Sequence, residues 1–211
     1  MQSNKYLYLA LGALALLVVV VGGVVYYQSY RDDQMVVAPY NETIDRPDIN
    51  LAFTYPGGEY GLSLIEPPLP EGGDLLQAFI LVPADDYDEF TQNTDGQQSP
   101  PAISIFVFNL PELPVVANAD SGEEPDRITL LREWATEKSS ITSYPSAVDT
   151  ATVEEIDGLE VLHYRAMGLH QQEIYLASYK GRAYMFVAQF DSEQAATFTN
   201  FQQLMSSVLF N

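Results

Sequence analysis

The sequence predicts an α+β fold: an antiparallel β-sheet sandwiched by two helices and preceded by a single transmembrane helix. Three observations predict it. An apolar stretch without a charged side chain runs from Tyr6 to Tyr27. Beyond it, short alternating or β-branched runs are joined by Asp157-Gly158 and Lys180-Gly181, two-residue links of the kind that close tight antiparallel hairpins. Two segments with apolar residues at spacings of three and four lie between and after these strands, as a helix packing one face on a core requires.

The stretch from Tyr6 to Tyr27 holds about 22 residues, which as a helix would be roughly 33 Å long, enough to cross a bilayer's hydrocarbon. Tyrosines stand at both ends, Tyr6 and Tyr8, then Tyr26, Tyr27 and Tyr30, where amphipathic rings favour the interface. The run is longer than the apolar part of a secretory signal, and no cleavage site follows Val25. It is therefore read as an uncleaved anchor. Lys5 precedes it, Arg31 follows it, and the next 14 residues lack Lys and Arg. That balance favours a cytoplasmic N-terminus and a C-terminal domain on the outer side, in a periplasm or on a cell surface. Gly12, Gly22 and Gly23 do not form the spacing that pairs membrane helices. The expected division is an anchor over residues 1–30, a polar stalk over 31–47 and a folded domain over 48–211. The triplet Asn41-Glu42-Thr43 in the stalk fits the N-glycosylation pattern.

In the domain, residues 51–55 read as a strand ended by Pro56-Gly57-Gly58, and 60–65 as a second. Residues 66–73, with three prolines and two glycines, form a loop. Strands follow at 75–82 and 103–108, the latter apolar enough to be buried on both faces. Between them, 85–99 reads as a polar acidic loop. Asp126 caps a helix reaching about residue 140, with Ile128, Leu131, Trp134 and Ala135 on its inner stripe. Strands 150–156 and 159–166, then 172–179 and 182–190, form two hairpins. In the last strand Ala183, Met185 and Val187 face one way and Tyr184, Phe186, Ala188 and Phe190 the other, so it is expected at the centre of the sheet. Asp191 and Gln194 suggest a capping pair for a closing helix through residue 207, with Phe198, Phe201, Met205 and Val208 as its core stripe.

The chain has 211 residues, 9 Lys plus Arg, 29 Asp plus Glu and a net charge of −20. Lys5 is the only charged side chain before Arg31, so the excess acid belongs to the part beyond the anchor. Such a charge argues against nucleic acid and against docking on anionic lipid, and favours cationic partners, divalent cations or simple solubility through a solvated acidic surface. The absence of cysteine excludes disulfides, thiolate metal sites and a Cys nucleophile.

Phe53-Thr54-Tyr55-Pro56 with its following glycines resembles the opening strand of PsbP-like domains. Glu155-Ile156-Asp157-Gly158-Leu159, the long hairpin after it and the ending Ser207-Val208-Leu209-Phe210 are similar to their closing half. The resemblance covers residues 48–211. It implies an antiparallel sheet between helices and an accessory or binding role, since members of that group are mainly non-catalytic photosystem subunits, assembly factors and membrane-anchored bacterial proteins. The uncleaved anchor departs from the plant subunit and points to the membrane-anchored, non-photosynthetic type.

Catalytic motifs are scarce. The sequence has two histidines, His163, expected on a strand beside Arg165, and His170 at the next turn. There is no His-Glu-x-x-His, no Gly-x-Ser-x-Gly and no phosphate-binding Gly-x-x-x-x-Gly-Lys. The one constellation with metal-binding chemistry is Asp85, Asp86, Asp88, Glu89 and Asp95, five hard oxygen donors within eleven residues, a weak calcium candidate. It departs from an EF-hand, with Phe90 at the fifth position and no glycine at the sixth. Pro67-Pro68-Leu69-Pro70 and Pro111-Glu112-Leu113-Pro114 have PxxP spacing without an adjacent basic residue and read as rigid loops. The sequence thus predicts a membrane-anchored, extracytoplasmic binding or assembly domain without catalysis or cofactor and with a protein partner. The competing expectations are a surface hydrolase using these acidic residues, with or without calcium, and an envelope spacer that binds no ligand.

Overall fold

The computed structural model describes residues 40–59, 61–92, 100–110 and 126–211. The stretch from Tyr6 to Tyr27 lies outside them. Among the described residues no helix is long and apolar enough to cross a membrane.

The strand β1 (Tyr40–Arg46) pairs antiparallel with β2 (Leu51–Gly57) as a two-stranded unit. The strand β1 therefore lies inside the stretch expected to be stalk, because the polar residues 40–46 need only a ladder to β2, not a core position of their own. Asn41 of the glycosylation triplet sits on β1 opposite Pro56. The remaining strands are β3 (Leu62–Ile65), β4 (Leu75–Pro83), β5 (Ile103–Asn109), β6 (Thr152–Ile156), β7 (Leu159–Met167), β8 (Gln171–Tyr179) and β9 (Arg182–Phe190). They form one seven-stranded sheet in the order β3-β4-β5-β9-β8-β7-β6, every neighbouring pair antiparallel. As its two apolar faces predict, β9 occupies the middle place.

The hairpin links behave as their chemistry requires. Asp157 and Gly158 have φ of 50° and 73°, and Lys180 and Gly181 have 46° and 71°, the paired positive values of a turn whose twist matches the strands. Gly61 is fixed by a close approach, since a Cβ there would run into the backbone oxygens of Pro56 and Gly57.

Short helices fill the connections. The acidic segment is not a continuous loop: Ala84–Asp86 forms a 3-10 turn and Tyr87–Gln92 the helix α1. The helix α2 (Arg127–Glu137) starts where expected, with Asp126 accepting the Thr129 N–H at 2.9 Å, and is followed by the single turn α3 (Ser139–Thr142). The closing helix α4 spans only Ala196–Met205 and has no side-chain cap. The expected Asp191–Gln194 cap does not form, because the helix starts later, at Ala196 with Ala195 in the cap position, and the Asp191 carboxylate lies 2.8 Å from His170 Nδ1 at the β7–β8 turn.

Two cores result. On one face Phe79, Ile105, Phe186 and Phe190 of the sheet pack with Leu51, Phe53 and Tyr55 of β2 and with Phe201, Leu204 and Met205 of α4. On the other, Leu162, Leu176, Met185 and Phe108 pack with Leu131, Trp134 and Ala135 of α2. The expected sandwich of a sheet between two helices thus holds, except that the β1–β2 unit shares one face with α4. Two buried hydroxyls inside it are paired: Tyr184 Oη donates to Ile49 O at 2.8 Å and Tyr164 Oη to Thr142 O at 2.6 Å, sparing the cost of an unmet polar group. After α4 the chain returns to β2 through a bridge between Leu209 and Ala52.

Candidate functional site

The polar chemistry of the described residues gathers on the α4 face of β6, β7 and β8. Cross-strand register sets it up. His163 stands opposite Thr152 and Tyr175, and Arg165 opposite Glu173. The period of two along β7 puts His163 and Arg165 on one side, and along β8 it does the same for Glu173 and Tyr175. Glu154 reaches this group from β6 and Glu193 from the connection before α4.

The carboxylate of Glu173 is the centre of a linear chain of ions. One oxygen lies 2.6 Å from His163 Nε2, and the other accepts from Arg165 Nε at 2.6 Å. His163 Nδ1 is in turn 2.5 Å from Glu154 Oε1, and Arg165 Nη1 donates to Glu193 Oε1 at 2.6 Å. Glu173 is only 3% exposed, so its charge depends on these partners. Burial pushes its carboxyl pKa upward, but the hydrogen bonds and charges of His163 and Arg165 outweigh burial and hold it below the ordinary value. For His163, burial opposes protonation while Glu173 and Glu154 favour it, and the net shift is upward. Ionised carboxylates only accept, so an imidazole between two of them donates from both nitrogens and is an imidazolium. The ring also stacks on Tyr175, with centroids 4.3 Å apart and planes 8° from parallel. The Tyr175 phenol is pushed up to about 12, by burial first and then by the charges of Glu154 and Glu173.

Beside this chain opens a cleft of about 320 Å³. Glu154, Glu155 and Asp157 line it from the β6–β7 hairpin, Tyr175 from β8, Gln202 from α4 and Ser206 from just beyond α4. Among the described residues, three carboxylates and no basic side chain line it. A shallower hollow of about 500 Å³ lies along the outer side of α2, lined by Thr129, Arg132, Glu133 and Val148 and by Tyr144, whose buried hydroxyl has no hydrogen-bond partner.

The acidic residues expected to bind calcium are elsewhere. Asp85 and Asp86 lie in the 3-10 turn after β4, Asp88 and Glu89 on α1, and Asp95 falls outside the described residues. Among the described residues, no three His, Asp or Glu side chains come together in a way that could hold a metal ion. Sequence reasoning placed His163 and Arg165 on one face but missed Glu173 and Glu154. The one available signal was Glu173 itself, a charge in phase with Tyr175 and Ala177 on a face those residues mark as buried.

The fold and this site define an antiparallel α+β sandwich with a locked ionic chain and an acidic cleft at one edge. No family model matches the sequence, and no curated protein matches it. Among solved structures, the chain is similar to the solution structure of cyanobacterial PsbP from Synechocystis, at 12% identity and a TM-score of 0.48 over 84% of this chain and 96% of that one. A crystal structure from Bacteroides thetaiotaomicron is similar at 10% identity and a TM-score of 0.44. It matches over 81% of this chain, which spans only 48% of that one. Both scores lie below 0.5, and neither likeness carries a family or a function to this chain.

Proposed function

We propose that this chain is a membrane-anchored, extracytoplasmic binding and assembly domain without catalysis, and that it takes a cationic segment of a partner protein at the acidic cleft between β6 and α4. The observation that carries this reading is the cleft's lining of Glu154, Glu155 and Asp157 with no basic side chain. A net charge of −20 over the whole chain adds long-range attraction for such a partner. The non-catalytic part rests on His163, whose two nitrogens are both engaged by carboxylates. A general base needs a nitrogen lone pair directed at its substrate, and this imidazole has none to offer. The anchoring part rests on the uncharged stretch from Tyr6 to Tyr27.

The test is affinity capture of the tagged full chain from mild detergent extracts, alongside a Glu155→Lys variant. Glu155 lines the cleft and is exposed, so its reversal leaves the ionic chain intact. The expected result is a defined set of partners that the variant loses at an unchanged melting temperature. Recovery of the bait alone, or of the same partners by both forms, would defeat the reading. Protease accessibility of the C-terminal domain in intact cells tests the orientation.

A further inference from the structure

Among the described residues the sheet ends on β6, which pairs with β7 alone. We propose that β6 is an open docking edge at which a basic, extended segment of the partner adds to the sheet as a further strand. This inference rests on the binding reading above and specifies the partner's conformation.

The backbone supplies the first argument. Asp157-Gly158 is a two-residue turn, so Ile156 and Leu159 form a hydrogen-bonded pair. Alternation along the antiparallel ladder then engages Ile156, Glu154 and Thr152 with β7 and directs the N–H and C=O groups of Val153 and Glu155 away from it. Among the described residues no strand lies against that side. The opposite edge is a poorer template: β3 has four residues, all buried or half-buried, whereas residues 152–155 of β6 are all exposed. Val153, 44% exposed, is a β-branched apolar residue facing water on an edge where an added strand would cover it.

Charge selects the occupant. Edge strands avoid chance pairing by carrying charge, and here the charges on β6 and its turn are of one sign, Glu154, Glu155 and Asp157, with Glu160 opposite Glu155 and only His163, bound to Glu154, of the other sign behind them. The guard that repels neutral or acidic strands attracts one rich in Lys or Arg. Side chains of an added strand alternate between faces. One set falls on the α4 face, over the cleft, within reach of Glu154 and Asp157. The other falls beside Val153, where an apolar side chain fits. The preferred segment therefore alternates basic and apolar residues.

The probe is a short synthetic peptide alternating lysine with valine, added to the full chain in detergent micelles. Its control has the same sequence, with alternate backbone nitrogens methylated to block one hydrogen-bonding edge. Expected are slowed amide exchange at Val153 and Glu155, and binding weaker by about tenfold or more for the methylated peptide, since it loses several backbone hydrogen bonds at once. Val153→Pro, which removes an outward N–H that β7 does not use, should weaken the unmodified peptide similarly. Equal binding of both peptides, with no protection at these amides, overturns strand addition and leaves the cationic cleft standing. No binding of either peptide overturns both. Should Val153→Pro fail to fold, the methylated peptide against the wild-type chain decides the question alone.

Discussion

His163 Nε2 and Glu173 Oε1 are 2.6 Å apart across neighbouring strands, and this contact ties the acidic edge of the sheet to its interior. Glu173 is inside and carries the charge, while His163 passes the connection outward to Glu154 on the last strand. Its protonation gives the domain a pH window. The histidine's pKa is raised above 6.5, so its stabilising contribution is complete below that pH and is lost as pH climbs through the higher folded value. The Glu173 pKa is depressed below 4.5, so its contribution is complete above that pH and is lost on acidification through the lower folded value. The ionic chain is therefore most stabilising between pH 4.5 and 6.5. Urea midpoints measured across pH should fall on the alkaline side, and the fall should flatten in His163→Gln. An unchanged alkaline limb in that variant would show that another group controls it.

Glu173→Gln should cost about 2 kcal/mol, below the roughly 3–5 kcal/mol seen when a fully buried pair is broken, because Arg165 is half-exposed and keeps Glu193. Equilibrium urea unfolding measures it. In a double-mutant cycle with His163→Gln, the second substitution should cost less than it does alone.

Asp157 has two duties that one substitution separates. It holds a left-handed backbone at φ 50°, and its Oδ2 accepts the Phe210 N–H at 2.7 Å. Asp157→Asn keeps both abilities and should cost under about 0.5 kcal/mol, whereas Asp157→Ala loses both and should cost about 2 kcal/mol. Thermal melts of the two variants should separate by several degrees.

Trp134, the single tryptophan, is 3% exposed and lies 5.3 Å from the Phe108 ring. Its fluorescence should be blue-shifted in the native state and move red in one step with loss of the α2 face. Trp134→Ala should cost about 3–5 kcal/mol, visible by far-ultraviolet circular dichroism during denaturation.

Patterns within a few residues of each other were legible in the sequence. Alternation in β9, the spacing of Leu131, Trp134 and Ala135, and the Asp157-Gly158 and Lys180-Gly181 turns each depend on short-range geometry, and each appears in place. What escaped depends on partners distant in sequence. Residues 40–46 carry no apolar alternation, and only the ladder to β2 makes them a strand. The Asp191–Gln194 cap was plausible locally, but the helix starts only at Ala196, and Asp191 instead lies against His170, 21 positions away. The candidate site lay deepest of all, since Glu154, His163, Glu173 and Glu193 sit on separate segments, and nothing in their order announces that they meet.

The return of the chain to β2 has a consequence for the protein's synthesis. Ser207 Oγ accepts the Thr54 N–H across 153 positions, and Leu209 bridges Ala52. At about 5–20 residues per second, β2 must wait roughly 8–30 s for the segment that covers it. Throughout that interval Leu51, Phe53 and Tyr55 lack part of their cover, so the α4-side core of the domain is completed only after the last residues of the chain are made.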